Sequence, residues 1–115
     1  MTFNRDFVIR KVEQLFPEYD RENVLRILDS YDSTRDEEHR LRVQLAVLKL
    51  CEGKKDKIHK LIELAMIDHP RDVLWPAEEP TLSEIDGVKL INMTEREVQD
   101  IKEKDRKQYM DWLKS

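Results

Sequence analysis

Apolar side chains recur at helical spacing four times before residue 70, and each run is closed by a helix breaker or a turn segment. Phe7, Val8, Val12, Leu15 and Phe16 form the first stripe, and Pro17 follows it. Val24, Leu25, Ile27, Leu28 and Tyr31 form the second, and the turn-prone DSYDST follows. The third is the broadest: Leu41, Leu45 and Leu48, widened by Val43, Val47, Leu50 and Cys51, up to Gly53. The fourth holds Ile58, Leu61, Ile62, Leu64, Ala65 and Ile67, with Pro70 beyond it. Residues at i, i+3, i+4 and i+7 share one helix face, so each run predicts an amphipathic helix. Four such faces leave water only by packing on one another. The expected fold is therefore all-α, a compact four-helix bundle, with the third helix touched on two sides. Two glycines in 115 residues are too few for a sandwich or barrel, which needs a turn every ten residues or so.

The helix ends carry chemical signals of their own. Asn4 is a cap for the first helix, and Phe3 with Val8 has staple spacing around it. Asp20, with Tyr19 and Val24, repeats the device for the second. Thr34 and Glu37 have the spacing of a capping box for the third, with Asp36, Glu37 and Glu38 where the helix dipole favours negative charge. The fourth is expected over about 56–69.

Beyond Pro70 the pattern changes. PRDVLW is a short turn between prolines. Leu74 and Trp75 read either as a latch over the open end of the bundle or, for Trp75, as an anchor for a partner. Residues 76–93 show no helical period, and Asp86–Gly87 is a hairpin signal. They read as an irregular connector with a small hairpin. Thr94 and Glu97 form a further capping box, and a polar helix follows. Asp100–Lys104 and Glu103–Lys107 are spaced to support it as ion pairs. Its thin apolar stripe, Val98, Ile101, Tyr109 and Trp112, is interrupted by Asp105. The expected organisation is a helical domain over 1–75, a connector over 76–93 and an amphipathic helix over 94–115.

Composition narrows the chemistry. Charged residues make up 40% of the chain, yet the net charge is only −4, with both signs mixed throughout. No basic stripe stands out, which argues against nucleic acid as a partner. Phosphate-cradling glycine loops are missing. A single cysteine, Cys51, and no run of 18 apolar residues point to a cytoplasmic chain off the membrane. Asp56, His59 and Glu63 share a helix face but lack the fourth ligand of a tetrahedral site, so no metal or cofactor is expected. His39 and His69 read as surface residues, Glu78 and Glu79 as solvated connector residues, and Cys51 as a core residue. Lys54, Lys55, Lys57 and Lys60 lie near the start of the fourth helix, where free N–H groups favour an anion.

Two local resemblances add to this. Leu15–Leu28, LFPEYDRENVLRIL, resembles the start of a CUE domain, a three-helix ubiquitin-binding module of the UBA-like type. The resemblance implies peptide or ubiquitin contact through Phe16 and Pro17. The chain departs from the family in a longer second loop and in LAVLKLCEG, which lacks the family's paired leucines. Arg42–Pro80, which ends in RDVLWPAEEP, is similar to a group of small, uncharacterised bacterial proteins. That resemblance implies a cytosolic helical domain and no activity.

The sequence thus points to a non-catalytic interaction domain that binds a protein partner or a second copy of itself. Trp75, Val98, Ile101, Tyr109 and Trp112 are its candidate contacts. A small-anion or metabolite binder built on the four lysines is the alternative. No positioned nucleophile or phosphate loop is visible that could supply what catalysis demands.

Overall fold

The computed structural model describes residues 4–31, 34–67 and 69–115. Among them the chain is all-α, with eight helices and no strand. The helices are α1 Arg5–Leu15, α2 Glu18–Asp29, α3 Glu37–Cys51, α4 Lys55–Ile67, α5 Arg71–Glu78, α6 Pro80–Glu84, α7 Gly87–Ile91 and α8 Glu95–Lys114. The chain divides into two compact units, Met1–Leu74 and Trp75–Ser115. The division falls inside α5, and it joins the expected connector to the terminal helix in one unit.

In the first unit the main packing contacts run round a ring: α1 on α2, α2 on α4, α4 on α3, and α3 on α1. The third stripe occupies α3 as its breadth predicts. Leu41, Val43, Leu45, Ala46, Val47, Leu48 and Cys51 are all buried, with Gln44 among them. Gln44 reaches from α3 to the end of α2, where its Nε2 donates to the Leu28 carbonyl at 2.9 Å. Ile58, Ile62 and Ala65 of α4 are buried, but Ile67, expected in that stripe, is 78% exposed in the last turn.

The helix ends follow the sequence in part. Asn4 caps α1 by accepting from the Phe7 N–H; Phe3, the other expected half of its staple with Val8, lies outside the described residues. Asp20 does not cap α2. That helix starts at Glu18 behind Pro17, whose extended backbone serves as the cap, and Tyr19 stands 84% exposed instead of closing a staple. Asp20, one turn in, accepts from Lys55 Nζ at 3.3 Å and ties α2 to α4. The cap of α3 is Asp36, accepting from the His39 N–H at 2.8 Å, in place of Thr34. A carboxylate gains from the helix dipole what a hydroxyl cannot. Asp32 and Ser33 of the DSYDST turn lie outside the described residues, as does Asp68.

Two contacts at the end of α1 were not legible in its own sequence. Arg21 donates from Nε to the Phe16 carbonyl and from Nη2 to the Glu13 carbonyl, both at 3.1 Å, so a side chain of α2 satisfies orphan carbonyls of α1. Gly53 takes a left-handed φ of +73°, next to Glu52 at +52°, and closes α3. A Cβ at Gly53 would lie 3.4 Å from the Leu15 carbonyl oxygen.

Lys11 is the one lysine of α1, and it is 1% exposed. Its Nζ donates to Gln14 Oε1 at 3.0 Å. Burial pushes its pKa below the usual lysine value, and the neighbouring charge of Arg10 adds to the effect. The unfolded chain therefore holds this proton to higher pH than the folded one. Stability rises with pH between the lowered folded value and the ordinary value near 10.5. Below that window the buried charge costs stability in full. We predict that Lys11→Met stabilises the protein at pH 7 and that its advantage shrinks as pH approaches 10.5. Urea unfolding at pH 7 and at pH 10 checks both statements; an equal advantage at the two pH values contradicts the assignment.

The second unit corrects the reading of residues 76–93. They form the end of α5, then α6 and α7, and no hairpin. Neither Asp86 nor Gly87 takes the left-handed backbone that a tight Asp-Gly hairpin turn requires. Asp86 is a helix cap, its carboxylate accepting from the Val88 N–H at 2.8 Å, and Gly87 opens α7. Thr94 caps α8 as its spacing predicts, with Oγ1 accepting from the Glu97 N–H at 3.1 Å, while the Glu97 carboxylate accepts from the Thr94 hydroxyl at 3.2 Å in place of the backbone N–H of a full capping box. The expected Asp100–Lys104 and Glu103–Lys107 ion pairs are not formed among the described residues.

Asp105, which interrupts the apolar stripe of α8, is 1% exposed. Its carboxylate accepts from the Thr81 N–H at 3.1 Å, from Thr81 Oγ1 at 2.7 Å and from the Leu82 N–H at 3.4 Å. Glu79, at the cap position of α6, makes no side-chain cap bond. Asp105 thus caps α6 from the neighbouring helix.

Candidate functional site

The apolar side chains that remain in water are concentrated in short helices and helix ends. In α7, Val88 is 71% and Ile91 is 83% exposed, and the helix has no buried residue. Three positions apart, these two side chains share one face. Trp75 in α5 is 40% exposed, while Val73, Leu74 and Ala77 of the same helix are buried. Leu74 is thus covered, while the indole of Trp75 keeps much of its surface in water.

The other expected contacts lie on α8. Val98, Ile101 and Trp112 are half-buried, and Tyr109 is buried. Tyr109 and Trp112 stack, with ring centroids 5.8 Å apart and planes 8° from parallel. Leu113, which the sequence stripe omits, is fully buried. The buried line of α8 is Asp105, Tyr109 and Leu113, and Val98 and Trp112 flank it. Tyr109 therefore belongs to the interior of the fold and is withdrawn from the candidate surface. Val88 and Ile91 take its place. The i, i+3 spacing in GVKLI was a signal for them, masked by the Asp-Gly pair before it.

The four lysines differ in their surroundings. Lys55 is paired with Asp20 at 3.3 Å, and Lys57 lies 4.0 Å from Glu52. Lys54 and Lys60 are exposed. Two of the four positive charges already face carboxylates, which weakens the field an anion would meet. Asp56, His59 and Glu63 are exposed on α4, and no group of three metal-ligating side chains converges among the described residues.

The remaining polar candidates are tied into the fold. His39 is half-buried rather than at the surface, and its Nε2 lies 2.9 Å from the hydroxyl of buried Tyr31. His69 is exposed, and its Nδ1 accepts from the Arg71 N–H at 3.0 Å. Glu78 and Glu79 are half-buried, not solvated as expected. Cys51 is buried, and that burial raises its thiol pKa, opposite to what a nucleophile needs. Phe16 is buried too, so of the pair implied by the CUE resemblance only Pro17 is presented. An open depression of about 450 Å³ lies along α1, lined by Asn4, Asp6, Phe7, Ile9, Arg10 and Glu13. The Arg10 guanidinium sits 5.1 Å from the centre of the Phe7 ring there.

Comparison of the chain with protein-family models, curated proteins and solved structures gives no match.

Proposed function

We propose that the chain is a non-catalytic interaction module that associates through its second unit, with a second copy of itself as the first partner to test. The observation that carries this reading is α7, which turns Val88 and Ile91 to solvent on one face and buries nothing. Large apolar side chains grouped in water mark interaction surfaces. Trp75, of a residue type enriched at interface hot spots, is exposed in the same unit.

Sedimentation velocity over a wide concentration range tests the reading on the full chain. The wild type is expected to show a concentration-dependent dimer, and a Val88→Ser/Ile91→Ser variant is expected to stay monomeric. Both side chains are exposed, so the variant should keep its fold, which circular dichroism verifies. A wild type that remains monomeric throughout overturns self-association. So does a variant that dimerises as well as the wild type.

A further inference from the structure

We infer that residues 79–93 form a strap that opens from α8 as a unit while α8 itself stays folded, with Asp105 as its clasp. Four observations on the strap point this way. First, α6 has five residues and α7 has five, far below the length at which a helix holds itself together in water. Their order must come from what they rest on. Second, α7 buries no side chain, and α6 buries one, Leu82. Third, the strong packing within this unit is that of α6 on α8. Fourth, the polar part of that contact converges on one group: both oxygens of the buried Asp105 carboxylate take up the Thr81 hydroxyl and the N–H groups of Thr81 and Leu82.

The fully buried part of the anchor is therefore one carboxylate and one leucine for fifteen residues of chain, with Ile85, Leu90 and Met93 half-buried beside them. By contrast, α8 has twenty residues and its own Thr94 cap, and it buries Tyr109 and Leu113 besides the clasp, so it does not depend on the strap in the way the strap depends on it. Elements with few buried contacts open locally at lower free energy than the core around them. Opening uncovers Asp105 and the seat of Leu82, in the middle of the helix that carries Val98, Ile101 and Trp112. Closing requires the α6 backbone to present its first N–H groups and the Thr81 hydroxyl in one geometry. The strap thus has two discrete states, and loss of a single hydrogen-bonding group biases it toward the open one. The inference is independent of self-association, because it concerns the monomer.

Amide hydrogen exchange on the full-length protein at low concentration, resolved by residue, tests it. In the wild type, amides of 81–93 should exchange faster than those of the middle of α8 and of α3. Asp105→Asn should raise exchange in 81–93 by about tenfold or more, from the loss of charge-assisted bonds to a buried acceptor, and leave α3 unchanged. Thr81→Val, which keeps the shape and removes the hydroxyl, should give a smaller increase in the same residues. Equal protection of the strap and α8, or equal acceleration of both by Asp105→Asn, means that they open together and overturns the inference. Unchanged exchange in 81–93 in both variants overturns the role of the clasp.

Discussion

Leu45→Ala is expected to destabilise the first unit by about 3 kcal/mol, the middle of the range for burying a cavity in place of a leucine side chain. Leu45 is fully buried at the centre of α3, between Leu41 and Leu48 on the same face. α3 packs against both α1 and α4, so a hole at Leu45 is walled from two sides and collapses poorly. A small domain holds only about 5–15 kcal/mol in total, so this single change consumes a large share of it. Urea unfolding followed by far-ultraviolet circular dichroism gives the measurement. The midpoint should fall with the slope unchanged. A loss below about 1 kcal/mol would mean that the ring of helices repacks round the gap, contrary to the burial seen on α3.

The second large effect is conformational and sits at the junction of α3 and α4. Gly53→Ala is expected to cost about 1–2 kcal/mol, because at φ +73° the Cβ of alanine crowds the carbonyl oxygen that follows it. The added methyl would lie in van der Waals contact with the Leu15 carbonyl oxygen at 3.4 Å, so the cost arises from the backbone conformation and not from a clash with α1. Glu52→Gly is the control of opposite sign. Glu52 holds a left-handed φ of +52° with a side chain attached, and glycine there relieves strain. It should stabilise the protein by about 0.5–1 kcal/mol, since the ion pair it makes with Lys57 at 4.0 Å is exposed and weak. Thermal melts of the two variants beside wild type decide the matter. A Gly53→Ala protein as stable as wild type would show that the turn has another conformation open to it.

These expectations divide along the line between local and non-local information. The Asn4 cap, the Gly53 stop and the Thr94 cap are set by residues within four positions of one another, so their spacing was enough. The same holds for the breadth of the α3 stripe. Where two local signals competed, the sequence alone chose badly: Asp36 and not Thr34 caps α3, and the Asp-Gly pair starts a helix instead of a hairpin. Each signal is chemically real in isolation. The choice between them depends on the direction the chain must take into its neighbours.

The candidate surface was less legible. Trp75, Val98, Ile101 and Trp112 stood out as apolar residues without a core of their own, yet their exposure differs from one to the next, and Tyr109 turned out to be interior. Val88 and Ile91 went unseen because no capping signal other than a turn-forming pair preceded them.

Helical period and end chemistry by themselves determined that this chain is all-α and where most of its long helices lie, because a helix is defined by contacts three and four residues apart. The tertiary structure alone decided which polar groups are buried and to whom they bond. Lys11 sits in the interior, Arg21 closes a helix other than its own, and Asp105 caps a helix twenty-three residues upstream. Such partners meet only when separate helices pack, and no spacing rule within one helix encodes them.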